Sequence, residues 1–373
     1  MPVVKTLRFV LLAAVAALAA TALGTSHANA AARMPIGFFD DQSFRWSSDK
    51  VENLQRAADA GATVIHTQAS WPAIAPTKPT TPSDGDDPVY RLADLDDLVT
   101  QAGVDGLRVM IDVTGTPKWA NGGKSPNHMP KKLSDLTTFT KMLATRYNGR
   151  SGHGKVSLYS VWNEPNIELF LTPQFSGNKI VGPANYAKLY KAAYSGIKAG
   201  NKSAKVAIGE TSARGRDKPL AGVSDSIAPG TFARLLSQQP GLKFDAWAHH
   251  PYPTSPNLPP LQKVRYPNVT LSTFPQFERD LTKWFHRAVP IWVTEYGHIS
   301  RPPGTAGVSY KQQATWTKQA LTIAKKDPRI QMFIWFTFRD SPTNPWHSGL
   351  ETSTGAAKPA YAVFRSLART ISK

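Results

Sequence analysis

Val156-Ser157-Leu158-Tyr159-Ser160-Val161-Trp162-Asn163-Glu164-Pro165-Asn166 reads as a strand that stops abruptly. From Val156 to Trp162 the run is rich in β-branched and aromatic residues, which suit a pleated, buried surface. Pro165 has no backbone N–H to give to a ladder, so pairing ends there and Asn163 and Glu164 stand at the carboxyl end of the strand. Seven further runs of this kind follow one another along the chain: Ile36–Phe39, Thr63–Gln68, Leu107–Val113, Lys205–Ile208, Phe244–His249, Ile291–Thr294 and Gln331–Phe336.

Segments of helical period separate them. Val51, Leu54 and Ala58 precede a stop at Gly61, and Leu136, Phe139, Leu143 and Tyr147 form one apolar stripe. So do Tyr186, Leu189, Ala193 and Ile197, then Trp316, Ala320 and Ala324, and Tyr361 to Ala368 reads as a last helix. Eight strand–helix pairs predict an α/β fold, specifically a (β/α)8 TIM barrel, with an open doubly wound sheet as the second choice. Helix-to-strand links are brief, as at Gly61-Ala62, whereas strand-to-helix links such as Thr211–Gly230 and Pro251–Gln276 are long. In a barrel those long links gather on one face, at the carboxyl ends of the strands, where chemistry is carried. No linker composition separates a second domain, so residues 31–373 read as a single catalytic domain.

Residues 1–30 read as a secretory signal peptide. Lys5 and Arg8 precede an apolar run from Phe9 to Leu23, and Ala28-Asn29-Ala30 is a small-x-small cleavage site. The run is shorter than the roughly 20 residues that span a bilayer, so no transmembrane segment is expected and the mature chain is expected to be secreted. With no cysteine, disulfides and thiolate metal sites are excluded. The 44 basic against 26 acidic residues give +18, or +16 once Lys5 and Arg8 are removed. Such a field attracts polyanions without choosing among them, and no nucleic-acid-binding module accompanies it.

A second strand-end carboxylate stands in Trp292-Val293-Thr294-Glu295-Tyr296-Gly297, closing the seventh run. Strand ends four and seven face one another obliquely across an eight-stranded barrel, so Glu164 and Glu295 can reach one cleft. Two carboxylates flanking one cleft suit cleavage of a glycosidic bond, one as proton donor to the leaving oxygen and one as nucleophile. Either glutamate alone could equally be a salt-bridged rim residue; the pair, each inside an aromatic and Gly/Pro-bounded string, favours catalysis.

The strings Asn163-Glu164-Pro165 and Thr294-Glu295-Tyr296-Gly297, 131 residues apart at their glutamates, resemble the retaining glycoside hydrolases of clan A. His250-Pro251-Tyr252, Trp335, Trp71–Pro76 and the run Asp112–Ala120 match the same clan, and the likeness extends in order over the mature chain. Families 5 and 39 both fit. The resemblance implies Glu164 as acid/base and Glu295 as nucleophile, Tyr252 as a hydrogen-bond donor to Glu295, and Asn163 as a partner of the sugar 2-hydroxyl. It further implies that His250 and Trp335 bind substrate, Trp335 as a stacking platform, with Trp71, Trp119 and Trp346 as outer-subsite candidates. One departure stands out: many clan members have Arg where this chain has His66, which takes that place among the expected substrate-binding residues.

His250 has an alternative reading as a buried strand histidine bonded to backbone, and Trp335 as core filler. His249 is out of phase with His250 and should face away, which makes the pair a poor metal site; no metal and no cofactor is expected. The expected partner is a polysaccharide or oligosaccharide, with a salt-sensitive hold on anionic surface polymers as a further expectation. A barrel that binds carbohydrate without cleaving it, and a basic polyanion-binding protein, are the alternatives.

Overall fold

The computed structural model describes residues 34–371; the expected signal peptide, residues 1–30, lies outside them. Eight parallel strands close a barrel: β1 Ile36–Phe39, β2 Val64–Ser70, β3 Arg108–Thr114, β4 Val156–Val161, β5 Lys205–Ser212, β6 Ala246–His250, β7 Ile291–Val293 and β8 Ile330–Phe336. Each strand pairs with its neighbours in sequence, and β8 returns to β1 with Phe38 opposite Trp335 and Phe39 opposite Phe336. The barrel prediction is met, and the open sheet is excluded by that closing pair. The long helices between the strands are α1 Lys50–Asp59, α2 Ala93–Val104, α3 Leu133–Arg146, α4 Gly182–Gly200, α5 Pro229–Ser237, α6 Phe274–Phe285, α7 Tyr310–Lys326 and α8 Pro359–Ile371.

The period of two along each strand sorts side chains into two cores. Inside the barrel are Phe39, Val64, Met110, Leu158, Ala207, Ala246, Ala248, Trp292, Met332 and Ile334. Ala248 sits in register beside Trp292, and so small a neighbour leaves the indole room within an eight-stranded barrel. The intervening residues, among them Ile65, Ile111, Val161, Val206, Trp247, Phe333 and Trp335, point outward and pack under the helices. Both strand faces are therefore buried, which explains why the strands read as near-continuous apolar runs.

Six of the eight carboxyl ends shift by one to four residues from the expectation, and two of the shifts have a visible backbone cause. β4 stops at Val161, because Trp162 already has a left-handed backbone with φ of 71°. β5 continues past Ile208 to Ser212, through a register break against β6 between Ile208 and Thr211. The loops on the carboxyl face are tied to one another and to the helices. Ile167 bridges to Ser226, joining the β4 and β5 loops, and buried Glu351 lies between Arg56 of α1 and Arg339, anchoring the loop after β8. Among the described residues no helix is long and apolar enough to cross a membrane.

Candidate active site

The carboxyl ends of the strands open into a cleft of about 940 Å³. One arm is lined by Phe39, Gln68 and Phe336, from β1, β2 and β8, with Trp346 from the loop after β8; the other by Ile167, Phe170, Arg214, Arg216 and Ser224, from the loops after β4 and β5. Asn163, Glu164, Tyr252 and Glu295 line the cleft as well.

Glu164 leaves β4 with a φ of 36°, two residues after the left-handed Trp162. Side chains avoid this region at a cost of order 1–3 kcal/mol, so surrounding contacts must hold it. They do: the Trp162 indole is buried with Nε1 donating to the Phe170 carbonyl at 2.6 Å, and its backbone N–H donates to Val113. Glu210 on β5 is a third such residue, with φ of 46° after Gly209 at 110°. A Cβ at Gly209 would sit 2.7 Å from Trp247 Cε2, so only glycine allows the bulge that turns Glu210 into the barrel. Trp162, Glu164 and Glu210 are three of the four non-glycine residues with positive φ among those described, and all three converge on one site.

That site is organised by His250, which has no exposed surface. Its Nδ1 lies 3.1 Å from Glu164 Oε1 and 3.6 Å from Glu295 Oε2, and its Nε2 lies 2.9 Å from Glu210 Oε2. The two cleft carboxylate oxygens are therefore no further apart than the sum of the first two distances, 6.7 Å. Tyr252 Oη donates to Glu295 Oε2 at 3.1 Å, and Thr294 Oγ1 to Glu210 Oε2 at 2.6 Å. His249 turns to the other side of β6, between Thr211 Oγ1 and the Val269 carbonyl, as the alternation required.

The charges follow from these contacts. Burial would discharge His250, but Glu295, Glu164 and Glu210 together hold its pKa well above the usual histidine value. Burial pushes Glu295 up to about 7; His250 opposes this, Glu164 and Glu210 add to it, and the Tyr252 hydroxyl opposes it. Asp112, buried on β3 beneath the cleft, is raised well above the carboxylate range by burial and by Glu210, which favours its neutral form. His66 is lowered to about 4, chiefly by burial, and is neutral.

The positions assigned from sequence thus separate into three groups. Glu164, Glu295, Asn163 and Tyr252 line the cleft, and the Tyr252–Glu295 bond is present. His250 and His66 lie beneath its floor, 0% and 2% exposed. His250 contacts carboxylates, neither substrate space nor backbone; His66 rests on Phe39 and pairs its Nδ1 with the Thr294 carbonyl at 3.2 Å. Trp335 is the correction: it is fully buried outside the barrel with Nε1 donating to the Ser348 carbonyl at 2.9 Å, and so presents no face to a sugar. Inward-pointing Ile334 fixes the phase, and Phe336, two residues on, is the β8 aromatic that reaches the cleft. Trp71 and Trp119 pack edge to face away from the cleft, whereas Trp346 lines it, edge-on to Tyr252. Glu210 escapes a reading of the sequence because Gly209 looks like a strand stop. The signal that could have found it is its likeness to the Glu295 string, a carboxylate closing a strand-like run, here one glycine beyond Ile208.

Comparison with known proteins bears on the scaffold. The family 39 glycoside hydrolase of Bacteroides cellulosilyticus WH2 superposes with a TM-score of 0.65 at 19% identity, covering 91% of this chain and 64% of that one. The chain thus spans about two thirds of that enzyme's length. The GH5_18 protein of Streptomyces cattleya in complex with GlcNAc gives 0.63 at 16% identity, covering 91% and 81%. Native xylanase 10B of Thermotoga maritima gives 0.61 at 16%, covering 91% and 95%. At these identities the likeness is one of fold. No curated protein matches the chain by sequence. The family model described as Cellulase (glycosyl hydrolase family 5) matches residues 30–338, which take in all eight barrel strands and both cleft glutamates. The chain belongs to this cellulase family, glycosyl hydrolase family 5, and with it to clan A of the glycoside hydrolases.

Proposed function

We propose that the protein is a retaining glycosidase that hydrolyses O-glycosidic bonds of a polysaccharide or oligosaccharide by double displacement. The observation that carries this reading is the placement of Glu164 and Glu295 on one cleft, both facing His250 Nδ1 and with their nearer oxygens within 6.7 Å. Retention uses carboxyls about 5–5.5 Å apart, whereas inversion needs about 6.5–9.5 Å to admit a water.

In the first step the Glu295 carboxylate attacks the anomeric carbon as the C1–O bond breaks, and the Glu164 proton passes to the leaving oxygen. In the second, Glu164 takes a proton from water, whose oxygen attacks C1 and displaces Glu295. His250 donates to Glu164 Oε1, leaving Oε2 to carry the transferred proton. Asn163 is the cleft residue assigned to the sugar 2-hydroxyl, where a bond strengthens in the transition state. Glu164→Ala is expected to slow turnover by about 10² to 10⁴. Added azide should then trap the glycosyl–enzyme as a glycosyl azide of retained anomeric configuration. An inverted first product from the unmodified enzyme, read by NMR, would overturn the double displacement.

Leaving groups lie on the Glu164 side, and there Arg214 and Arg216 line the cleft, the guanidinium of each donating, among the described residues, only to a backbone carbonyl, of Thr254 and of Ser224. We read this arm as favouring a leaving sugar that bears an oxyanion, since a guanidinium fork matches carboxylate and sulfate alike.

Export with cleavage after Ala30 belongs to the same proposal; amino-terminal sequencing of the mature protein should begin at Ala31. The charge of the mature chain would then hold it on anionic surface polymers, an attachment that modest salt should release.

A further inference from the structure

We propose that Glu210 is a positioning residue for this reaction: it keeps a proton on His250 and thereby keeps that proton off the nucleophile Glu295. The inference rests on the proposed roles of Glu164 and Glu295.

Geometry carries it. A neutral imidazole has one N–H and one lone pair, yet both ring nitrogens of His250 face carboxylate oxygens, Nδ1 at 3.1 Å from Glu164 and Nε2 at 2.9 Å from Glu210. With the Glu164 proton on Oε2, as the first step requires, Oε1 offers Nδ1 only lone pairs, and Glu210 Oε2 already accepts from Thr294 Oγ1, so the doubly protonated ring is the form that satisfies both contacts. The surroundings agree from every packed element. Glu164 beyond β4, Glu210 on β5 and Glu295 beyond β7 are acidic; Tyr252 beyond β6 donates its hydroxyl away to Glu295; Asp112 on β3 is pushed toward its neutral form by burial, and His66 on β2 is neutral. Among the described residues no lysine or arginine pairs with any of the three glutamates. The His250 imidazolium is thus the cation of the site, and His66 does not supply one.

Two arrangements of the same protons compete: a charged His250 beside an ionised Glu295, or a neutral His250 beside a protonated, unreactive Glu295. They differ by one proton moved over 3.6 Å, so changing the pH does not choose between them. Glu210 does, because its charge lies on the far side of the ring and favours only the first. Thr294 Oγ1 fixes the Glu210 oxygen that performs this, and the Gly209 bulge aims it.

The test is histidine-detected ¹⁵N NMR on the full chain, with His250 assigned by His250→Asn, alongside steady-state kinetics on an aryl glycoside. The unmodified protein should show His250 doubly protonated at pH 7. In Glu210→Gln, where a hydrogen bond to Nε2 persists without the charge, the His250 titration should fall by about 1–3 pH units, the usual effect of removing one close opposite charge. kcat/KM should fall by about 10- to 1000-fold through kcat, with KM retained and no recovery at any pH. A neutral His250 at pH 7 in the unmodified protein would overturn the proposal without recourse to any variant. An unmoved His250 titration in a folded Glu210→Gln would do so too. Failure of the glycosidase reading would look different: Glu164 and Glu295 variants would retain turnover while the His250 spectrum still reported its charge.

Discussion

Replacing Glu295 by Gln should abolish turnover and, above neutral pH, make the protein more stable. The ordinary glutamate value is 4.5, and in the folded protein Glu295 is pushed up to about 7, first by burial. The fold therefore binds this proton more tightly than the unfolded chain does, and ionisation of Glu295 opposes folding. The penalty is absent below the unfolded value, grows between about 4.5 and 7, and is full above that window. A difference of one in pKa between the folded and unfolded states corresponds to about 1.4 kcal/mol, so the full penalty is about 3 kcal/mol, and at pH 5 it is below about 1 kcal/mol. Glutamine cannot ionise, and its amide oxygen can still accept from Tyr252 Oη, which bonds Glu295 at 3.1 Å. Equilibrium denaturant unfolding followed by tryptophan fluorescence should show Glu295→Gln ahead by about 3 kcal/mol at pH 8 and close to parity at pH 5. A rim glutamate serving a salt bridge would give the opposite result, a loss on substitution. Either that loss or a gain equal at both pH values would refute the claim that the site holds a costly charge for the sake of chemistry.

Tyr252→Phe removes the hydroxyl that favours the ionised form of Glu295, so the acid limb of kcat/KM should move to higher pH; an unmoved limb would remove Tyr252 from the proposed mechanism. Trp335→Ala should cost about 3–5 kcal/mol of stability with KM little changed, whereas Phe336→Ala should raise KM at a smaller cost in stability; the reverse pattern in unfolding and kinetic measurements would restore Trp335 as the sugar platform. Arg214→Ala combined with Arg216→Ala should raise KM for substrates with a uronate or sulfated leaving sugar and spare neutral ones. Parallel assays of the two charged types would tell carboxylate from sulfate, and equal effects on all substrates would discard the oxyanion reading.

Much of the barrel is legible in the chain because its determinants are local. Apolar runs such as Val156–Val161 and helical stripes such as Leu136, Phe139 and Leu143 repeat with periods that backbone geometry imposes, and Pro165 marks a strand end by lacking a donor. Glu164 and Glu295 are legible for the same reason, as carboxylates at strand ends that the barrel must bring to one face. Phase is where this reading fails. Phe333-Ile334-Trp335-Phe336 is apolar throughout because the strand is buried on both faces, so nothing in the string says which aromatic faces the cleft. Register against β1 and the inward Ile334 assign that place to Phe336.

The eightfold strand–helix alternation, the face of the barrel that gathers the loops and the two glutamates that stand there are written in the chain. Which groups surround those glutamates depends on the closed barrel. The bulge at Gly209 turns Glu210 inward, and closure of the barrel brings β4, β5, β6 and β7 around one imidazole, so that His250 carries the charge and His66 does not. The difference is one of range. Strand and helix periods are set by neighbours a few residues apart, whereas the charge on a buried ring is set by carboxylates 40 to 86 residues away, and their distance exists only once the barrel has closed.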